Sequence, residues 1–553
     1  MASVLLRRAA VISASARKRT VAWPIVAGVL ISALYLGHAW MFGGYIADDA
    51  GISLAYGRNI VSGFGPVLYA GGEAIEGYSN PLWVALLGAG AALGLDRADG
   101  IPLMKALGLI FGLGTLLLTA IAARIAYPAD HNVPWLAPAV LAALTPFVFW
   151  TTAGLENSLY AFLVMLAVTL QLRELEHAEA RQWSAPVLAG VALTRPEGAA
   201  LFIAFLLHRL LYGERGVRLL RWTAAFVIIY GLFLGSRLVI FGEWVPNTYY
   251  AKVDVYDRHL TRLAMYILDP GDRGTSYLLD SARTLWPLLI VATAGLTVGR
   301  HWRTNVLLVG LLVGTALYVI YVGGDFWPAE RFLTAALPPL ALAAQHGVNR
   351  WVPWRLAASC VAALLVGVLL NRSLGASTEL QILDKEDILI GLQGKLNNAH
   401  RLQAVASALG LSDPLLLDPD IGGPAVAGLR VVDLGGLADT HIARFHYYPP
   451  FFRDYIFQER RPDFIRTHDT WTSSSRITEF PEFEQQYVAI RSWRDARGLH
   501  GEFVRRDLLT GGGRPRDMHP PRRPSFRQAI EDGRARRLRE ADRARTRGIS
   551  SGR

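Results

Sequence analysis

Long apolar stretches separated by short basic loops constrain this chain more than any other feature. The first, "VAWPIVAGVLISALYLGHAWMF", follows a segment carrying Arg7, Arg8, Arg17, Lys18 and Arg19. Positive charge is retained on the cytoplasmic side of a membrane, so residues 1–21 are expected there and the chain beyond Phe42 on the opposite side. A signal peptide would begin similarly, but this run is longer than an ordinary h-region and no small-residue cleavage site follows it. Composition agrees. Of 553 residues 52% are hydrophobic and 18% charged, and apolar runs recur through the first two thirds, where a soluble protein would use shorter amphipathic elements.

The basic loops then fix an alternation. Spans are expected near 101–121, 134–150 and 159–172, in two shorter pieces flanking "TRPEG", and near 223–241, 285–298, 306–322, 332–344 and 356–370. With the first apolar run this makes eleven, placing "RELEHAEARQ", "LLHRLLYGERGVRLLRW" and "GRHWRTN" inside and the C-terminal region outside. The piece "NPLWVALLGAGAALGL" (Asn80 to Leu95) breaks the alternation and is short for a core needing about 20 helical residues. It is expected to be an interfacial helix on the outer side, or one arm of a re-entrant hairpin. Residues 22–370 are thus expected to form the membrane domain.

From 371 to 510 the character changes to mixed-polarity helical pieces and short strand-like runs, "PLLLD" and "LRVVDLGGLAD", separated by glycine-bearing turns. The fold class is therefore mainly α: a polytopic membrane helical bundle of about eleven spans plus an interfacial outer helix, with a small extracytoplasmic α/β domain. Residues 511–553 hold thirteen arginines against five acids, eight of the net +11. With almost no branched apolar residues the tail is expected to be disordered, either attracted to anionic lipid or acidic polymer or merely solvated. Because the charge is concentrated there, it does not indicate a nucleic-acid partner. A lone cysteine, Cys360, excludes a disulfide framework within the chain.

Five polar clusters fall at the outer ends of spans: "YIADD", "EAIEGYSNP", "TTAGLEN", "TRPEG" and "GGDFWPAERF". Charge beside a bilayer faces water, another charge or a substrate, since burying it at a helix centre costs about 2.5–3.5 kcal/mol. Asp48 and Asp49 are the catalytic candidates, because a carboxylate in a partly dry pocket can take a proton from an incoming hydroxyl. Adjacent helical residues point apart, so one is expected to face the reacting atoms and the other to orient it or bind a cation; a helix N-cap is the alternative. Glu73, Glu76 and Glu156 fit sugar hydroxyls or support of the base, and solvated loop carboxylates otherwise. Arg195, where Pro196 and Gly198 interrupt two apolar half-spans, suits a phosphate or an ion pair with Glu197. Asp325, Glu330 and Arg331 sit beside Gly323 and Gly324, and Asn247, Tyr249 and Lys252 form a further polar and aromatic group. P-loop, dinucleotide fingerprint and zinc-ligand spacing are all missing from the sequence. A phosphate donor on the outer side is then expected to be lipid-borne.

In order and spacing these clusters, with "YIADDAGISLAYGRNIVSGFGPVLYAGGEAIEGYSNPLW", "TAGLENSLY", "LTRPEGAALF", "VPNTYYAK" and "GGDFWPAERFLTAALPP", resemble the GT-C superfamily of polyprenyl-phosphate-sugar glycosyltransferases. The chain looks most like the mycobacterial terminal β-(1→2) arabinofuranosyltransferases and their bacterial relatives. The resemblance implies a multi-pass enzyme of the plasma (inner) membrane. Its donor would be a lipid such as decaprenyl-phosphate arabinofuranose, its acceptor a cell-wall glycan, and Asp48 and Asp49 its acidic pair. Arg58 and Asn80, within the quoted segments, join the substrate-binding candidates. The acidic motifs could hold a divalent cation, though their spacing defines no coordination geometry. Other lipid-phosphate sugars, mannose or glucose, fit the same pattern. A lipid-linked-sugar flippase would share the broken helices, and a glycan-binding scaffold would share the outer domain.

Overall fold

A computed structural model describes residues 24–177, 179–252, 259–297, 299, 301–385 and 391–509; the basic N-terminus and the arginine-rich tail lie outside the described residues. The chain forms one compact unit through Arg505; of a second unit from Arg506 onward, the described part is a short 3-10 turn at Arg506–Leu508 and Leu509 after it.

The chain begins as helices: α1 (Pro24–Trp40), α2 (Asp48–Val61), α3 (Pro81–Ala92), α4 (Ile101–Ala126), α5 (Leu136–Ala143), α6 (Thr145–Thr152), α7 (Asn157–Glu176), α8 (Ser184–Thr194) and α9 (Gly198–Leu211). It continues through α10 (Gly216–Phe241), α11 (Asn247–Lys252), α12 (Leu263–Leu268), α13 (Arg273–Gly295), α14 (Trp302–Val322), α15 (Leu337–Trp351), α16 (Arg355–Lys385) and α17 (Leu392–Ala408). Among the described residues five helices, α4, α7, α10, α14 and α16, are long and apolar enough to cross a membrane, and four shorter ones, α1, α3, α8 and α9, are apolar. Two of the eleven spans that the sequence pattern suggests are divided by local chemistry. The stretch 134–150 is two eight-residue helices, because Leu144 is extended (ψ 117°) and Pro146 opens α6 instead of continuing α5. Ser373 receives the Thr145 amide at 3.1 Å, so the break is hydrogen-bonded from α16. The stretch 332–344 likewise divides into a 3-10 turn at Arg331–Leu333 and α15. The piece after Asn80 is α3, whose 12 residues fall short of a membrane-crossing helix.

α16 runs without interruption past residue 370, and α17 follows a short link. Beyond it lie β1 (Leu415–Asp418), α18 (Gly422–Val426), β2 (Arg430–Asp433), β3 (Phe464–Thr467), β4 (Tyr487–Asp495) and β5 (Gly498–Arg505), in the sheet order β2-β1-β3-β5-β4. β2, β1 and β3 are parallel, and β5 and β4 add antiparallel. The parallel strands are short and almost wholly buried, and Leu417, Val432, Ile465, Phe452 and Phe457 form their core. Leu392 and Leu396 of α17 belong instead to the large core of the bundle, with Trp83 and Leu87. The sheet segment is thereby seated on α2. Leu392 donates its amide to the Ile46 carbonyl at 2.8 Å, and Ala47 bridges Gly391.

Candidate functional site

Carboxylates and guanidiniums from segments far apart in sequence meet where α2, α7, α9 and the loop before α15 come together. Asn80 bonds Ser53 and reaches Glu156 at 2.8 Å. Glu156 accepts from Arg195 at 2.7 Å, and Arg195 also donates to Glu197. Arg195 is 7% exposed, its guanidinium 5.1 Å from the Phe332 ring centroid and 5.8 Å from that of Tyr160. With two carboxylates on one buried guanidinium, Arg195 is engaged as an ion-pair centre, the alternative to phosphate binding that its sequence setting allows.

Arg331 is built differently. Its Nε donates to Asp325 at 2.5 Å, while its NH1 stands 3.9 Å from Asp49 Oδ2, beyond hydrogen-bond length. Trp150, Trp327 and Phe332 surround it at 5.6, 5.9 and 5.3 Å, and Asn157 holds its carbonyl at 3.1 Å. The loop delivering it bends through two consecutive non-glycine residues at positive φ, Ala329 (56°) and Glu330 (49°). Backbone of this kind persists only where its surroundings over-determine it. The Asp49 side chain keeps 29% of its surface exposed, against 8% for that of Arg331.

Asp48 has a separate fate. It is 2% exposed, and its two oxygens accept from the Gly422 amide at 2.9 Å and the Gly423 amide at 2.7 Å. Burial, with Asp420 and Asp49 close by, pushes its carboxyl well above the usual range, and the two amide bonds act the other way. The pair thus divides as adjacent helical positions must: one carboxylate bound by backbone, the other facing an arginine.

Other sequence candidates lie elsewhere. Glu76 makes a two-pronged pair with Arg237 at 2.7 and 3.1 Å. Asn247 holds the carbonyls of Gly436 and Leu437, both at 2.9 Å, tying α11 to the sheet segment. Arg58 is engaged by Asp96 at 2.7 Å near the far end of α2. Glu73 is exposed, 3.7 Å from Arg460. Tyr249 meets Tyr321 at 3.3 Å, and Lys252 is exposed at the end of α11. Glu330 is half-buried beside Arg331.

A second charged cluster adjoins Asp48. Lys395 lies 2.6 Å and His468 2.7 Å from Asp420, while Arg466 reaches Asp418 at 3.2 Å. Burial opposes charge on Asp420, yet His468, Lys395 and Arg466 hold its carboxyl well below the usual range; burial raises that of Asp418. Asp418, Asp420 and His468 present ligand atoms within 4.8 Å of one another, the one such group among the described residues. Lys395 and Arg466 already meet these carboxylates as ion pairs, while Asp420 Oδ2 and His468 Nε2 are buried without a well-formed hydrogen bond. The cluster's signal in the sequence is "LLLDPDIGGP": an apolar strand ending at Asp418, followed by Asp420 and a glycine pair, the usual setting of a site at the C-terminal edge of a parallel sheet.

No family model matches the chain, and no curated protein does. Solved structures do. ArnT from Cupriavidus metallidurans bound to undecaprenyl phosphate aligns with a TM-score of 0.54 at 12% identity, over 89% of this chain and 99% of its own. The oligosaccharyltransferase of Archaeoglobus fulgidus in complex with Zn and sulfate gives 0.54 at 12%, over 87% and 73%. AglB from Archaeoglobus fulgidus with an inhibitory peptide and a dolichol-phosphate gives 0.53 at 11%, over 80% and 69%. The chain shares the fold of these structures. The likeness extends over 80% to 89% of the chain.

Proposed function

We propose that this chain is a membrane glycosyltransferase that moves a sugar, arabinofuranose, from a polyprenyl-phosphate donor to a cell-wall or cell-surface glycan on the outer face of the plasma membrane. The observation that carries the reading is Asp49 facing Arg331 across 3.9 Å, the one carboxylate of the acidic pair left open to an incoming group. An acceptor hydroxyl attacks the anomeric carbon as Asp49 takes its proton. The bond from that carbon to the phosphate oxygen breaks, and the electron pair passes to the phosphate, whose charge Arg331 meets. Asp325 aims Arg331 through Nε and leaves the other nitrogens toward the site. Aromatic rings around the guanidinium lower the local dielectric and strengthen its hold on a phosphate. The lipid phosphates bound to ArnT and AglB support a lipid-borne donor; the choice of arabinofuranose rests on the sequence motifs.

The test is turnover by purified protein of polyprenyl-phosphate arabinofuranose, mannose and glucose, each with a short glycan acceptor. Transfer from the arabinose lipid alone, lost in Asp49→Asn, is the expected result; transfer from another lipid corrects the sugar, and none from any lipid overturns the reading. Linkage analysis of the product shows whether the anomeric centre inverts, as one direct displacement requires, or is retained, which needs a second displacement.

A further inference from the structure

We propose that the segment after the bundle supplies a positioning element for this reaction: the backbone amides of Gly422 and Gly423 hold Asp48 and thereby aim its neighbour Asp49 at Arg331. The inference rests on Asp49 being the proton acceptor, and it assigns Asp48, Gly422 and Gly423 a role distinct from proton transfer.

Asp48 opens α2, where Ala47 offers no side-chain cap. Its carboxylate turns away from the helix and takes both amides of a segment 374 and 375 residues later. With both oxygens occupied and the side chain buried, Asp48 is poorly placed to receive a substrate proton. Successive α-helical residues are about 100° apart around the axis, so fixing the first residue of α2 fixes the direction of the second.

The contact admits little slack. A Cβ on Gly422 would fall on the Asp48 carbonyl oxygen, and one on Gly423 would come within 2.6 Å of the Lys395 backbone and 2.7 Å of the Leu396 amide. A Cβ on Gly51, one turn along α2, would meet Gly422 at 2.8 Å. On the other side, Ala47 donates its amide to the Ala153 carbonyl at 2.9 Å, so the start of α2 is gripped between α6 and α18. The C-terminal segment is therefore a working part of the site's geometry.

The experiment uses full-length protein in nanodiscs, decaprenyl-phosphate arabinofuranose as donor probe and a short arabinan acceptor, with Asp48→Asn, Gly423→Ala and Asp49→Asn. Asparagine is isosteric but accepts through one oxygen only and sets its NH2 against the second amide. Expected is a kcat lower by about ten- to hundred-fold in Asp48→Asn, the loss of one of its two amide hydrogen bonds, with donor KM within about twofold. Gly423→Ala should change in the same direction. In both, amides 48–54 should exchange hydrogen faster while those of α7 and α14 keep their protection. Wild-type kcat in Asp48→Asn, with Asp49→Asn inactive, overturns the inference. So does an Asp48→Asn variant as inactive as Asp49→Asn with unchanged exchange, since Asp48 would then act on substrate itself. If wild-type protein turns over none of the lipid donors, the transferase reading fails separately. The clamp is then decided by exchange alone: unaltered amides 48–54 in both variants overturn it.

Discussion

α7 and α9 each carry buried charge at both ends, and the two ends are built differently. At their C-terminal ends Arg209, fully buried, bonds through all three guanidinium nitrogens: Nε to Gln171 at 2.9 Å, NH1 to Glu214 at 2.6 Å, NH2 to Glu174 and to Ser184 at 2.9 Å. Trp222 lies 4.5 Å from the guanidinium and bonds Ser184 at 2.8 Å. Every nitrogen of the Arg209 guanidinium is thereby engaged. At their N-terminal ends Arg195 is likewise engaged, but Arg331 beside it spends one nitrogen on Asp325 and faces Asp49 across a gap. The contrast teaches how to tell architecture from chemistry in a polar membrane interior: a closed network holds helices together, and an open one leaves charge for an incoming group to complete.

This division is open to attack. The largest effect is expected at the open end: Asp49→Asn should lower transfer by about 10²- to 10⁴-fold, and Arg331→Lys should raise donor KM by losing the planar fork. Thermal unfolding of both should stay near wild type; a collapsed fold in either would make the open end structural after all. At the closed end Arg209→Met should remove about 3–5 kcal/mol of stability, because Glu174 and Glu214 are left buried without their cation, while folded molecules keep their specific activity. A stable but inactive Arg209→Met breaks the comparison.

A third prediction concerns the sheet segment. Burial, with Asp439 nearby, pushes the Asp433 carboxyl up to about 7. A carboxyl raised in the folded state binds protons more tightly there than when unfolded. Local stability should be full below pH 4 and fall through pH 7, by an amount on the order of a few kcal/mol. Asp433→Asn should flatten that slope in hydrogen exchange of β1 and β2. The smallest effects belong to Arg58→Ala and Glu73→Gln, whose partners are partly exposed; each should shift stability by less than about 1 kcal/mol and transfer by less than about twofold.

Much of the site is legible in sequence because charge is expensive beside apolar runs. "YSNP", "GLEN" and "TRPEG" each interrupt an apolar pattern, and their Asn80, Glu156, Arg195 and Glu197 join in one chain of hydrogen bonds. Arg331 and Asp325 interrupt an apolar pattern in the same way. What the sequence conceals is partner choice. Arg195 and Arg331 read alike as buried arginines, and their difference lies in how many carboxylates reach each. Backbone amides have no sequence signature, so nothing announces Gly422 and Gly423 as the partners of Asp48. The division of the stretch 134–150 has a related reason: proline is tolerated in the first turn of a helix, so "LTPF" reads as the inside of one long helix when it starts a new one at Thr145.

The grip on Asp48 also bears on biosynthesis. Its two amide donors are made 374 and 375 residues after it; at about 5–20 residues per second the ribosome needs roughly 20–75 s to supply them. Throughout that interval the start of α2 has been inserted but lacks its lid. A stalled or prematurely terminated product should therefore present an unsheltered acid to the quality-control proteases of the membrane, which would make synthesis of Gly422 and Gly423 the step that completes the start of α2.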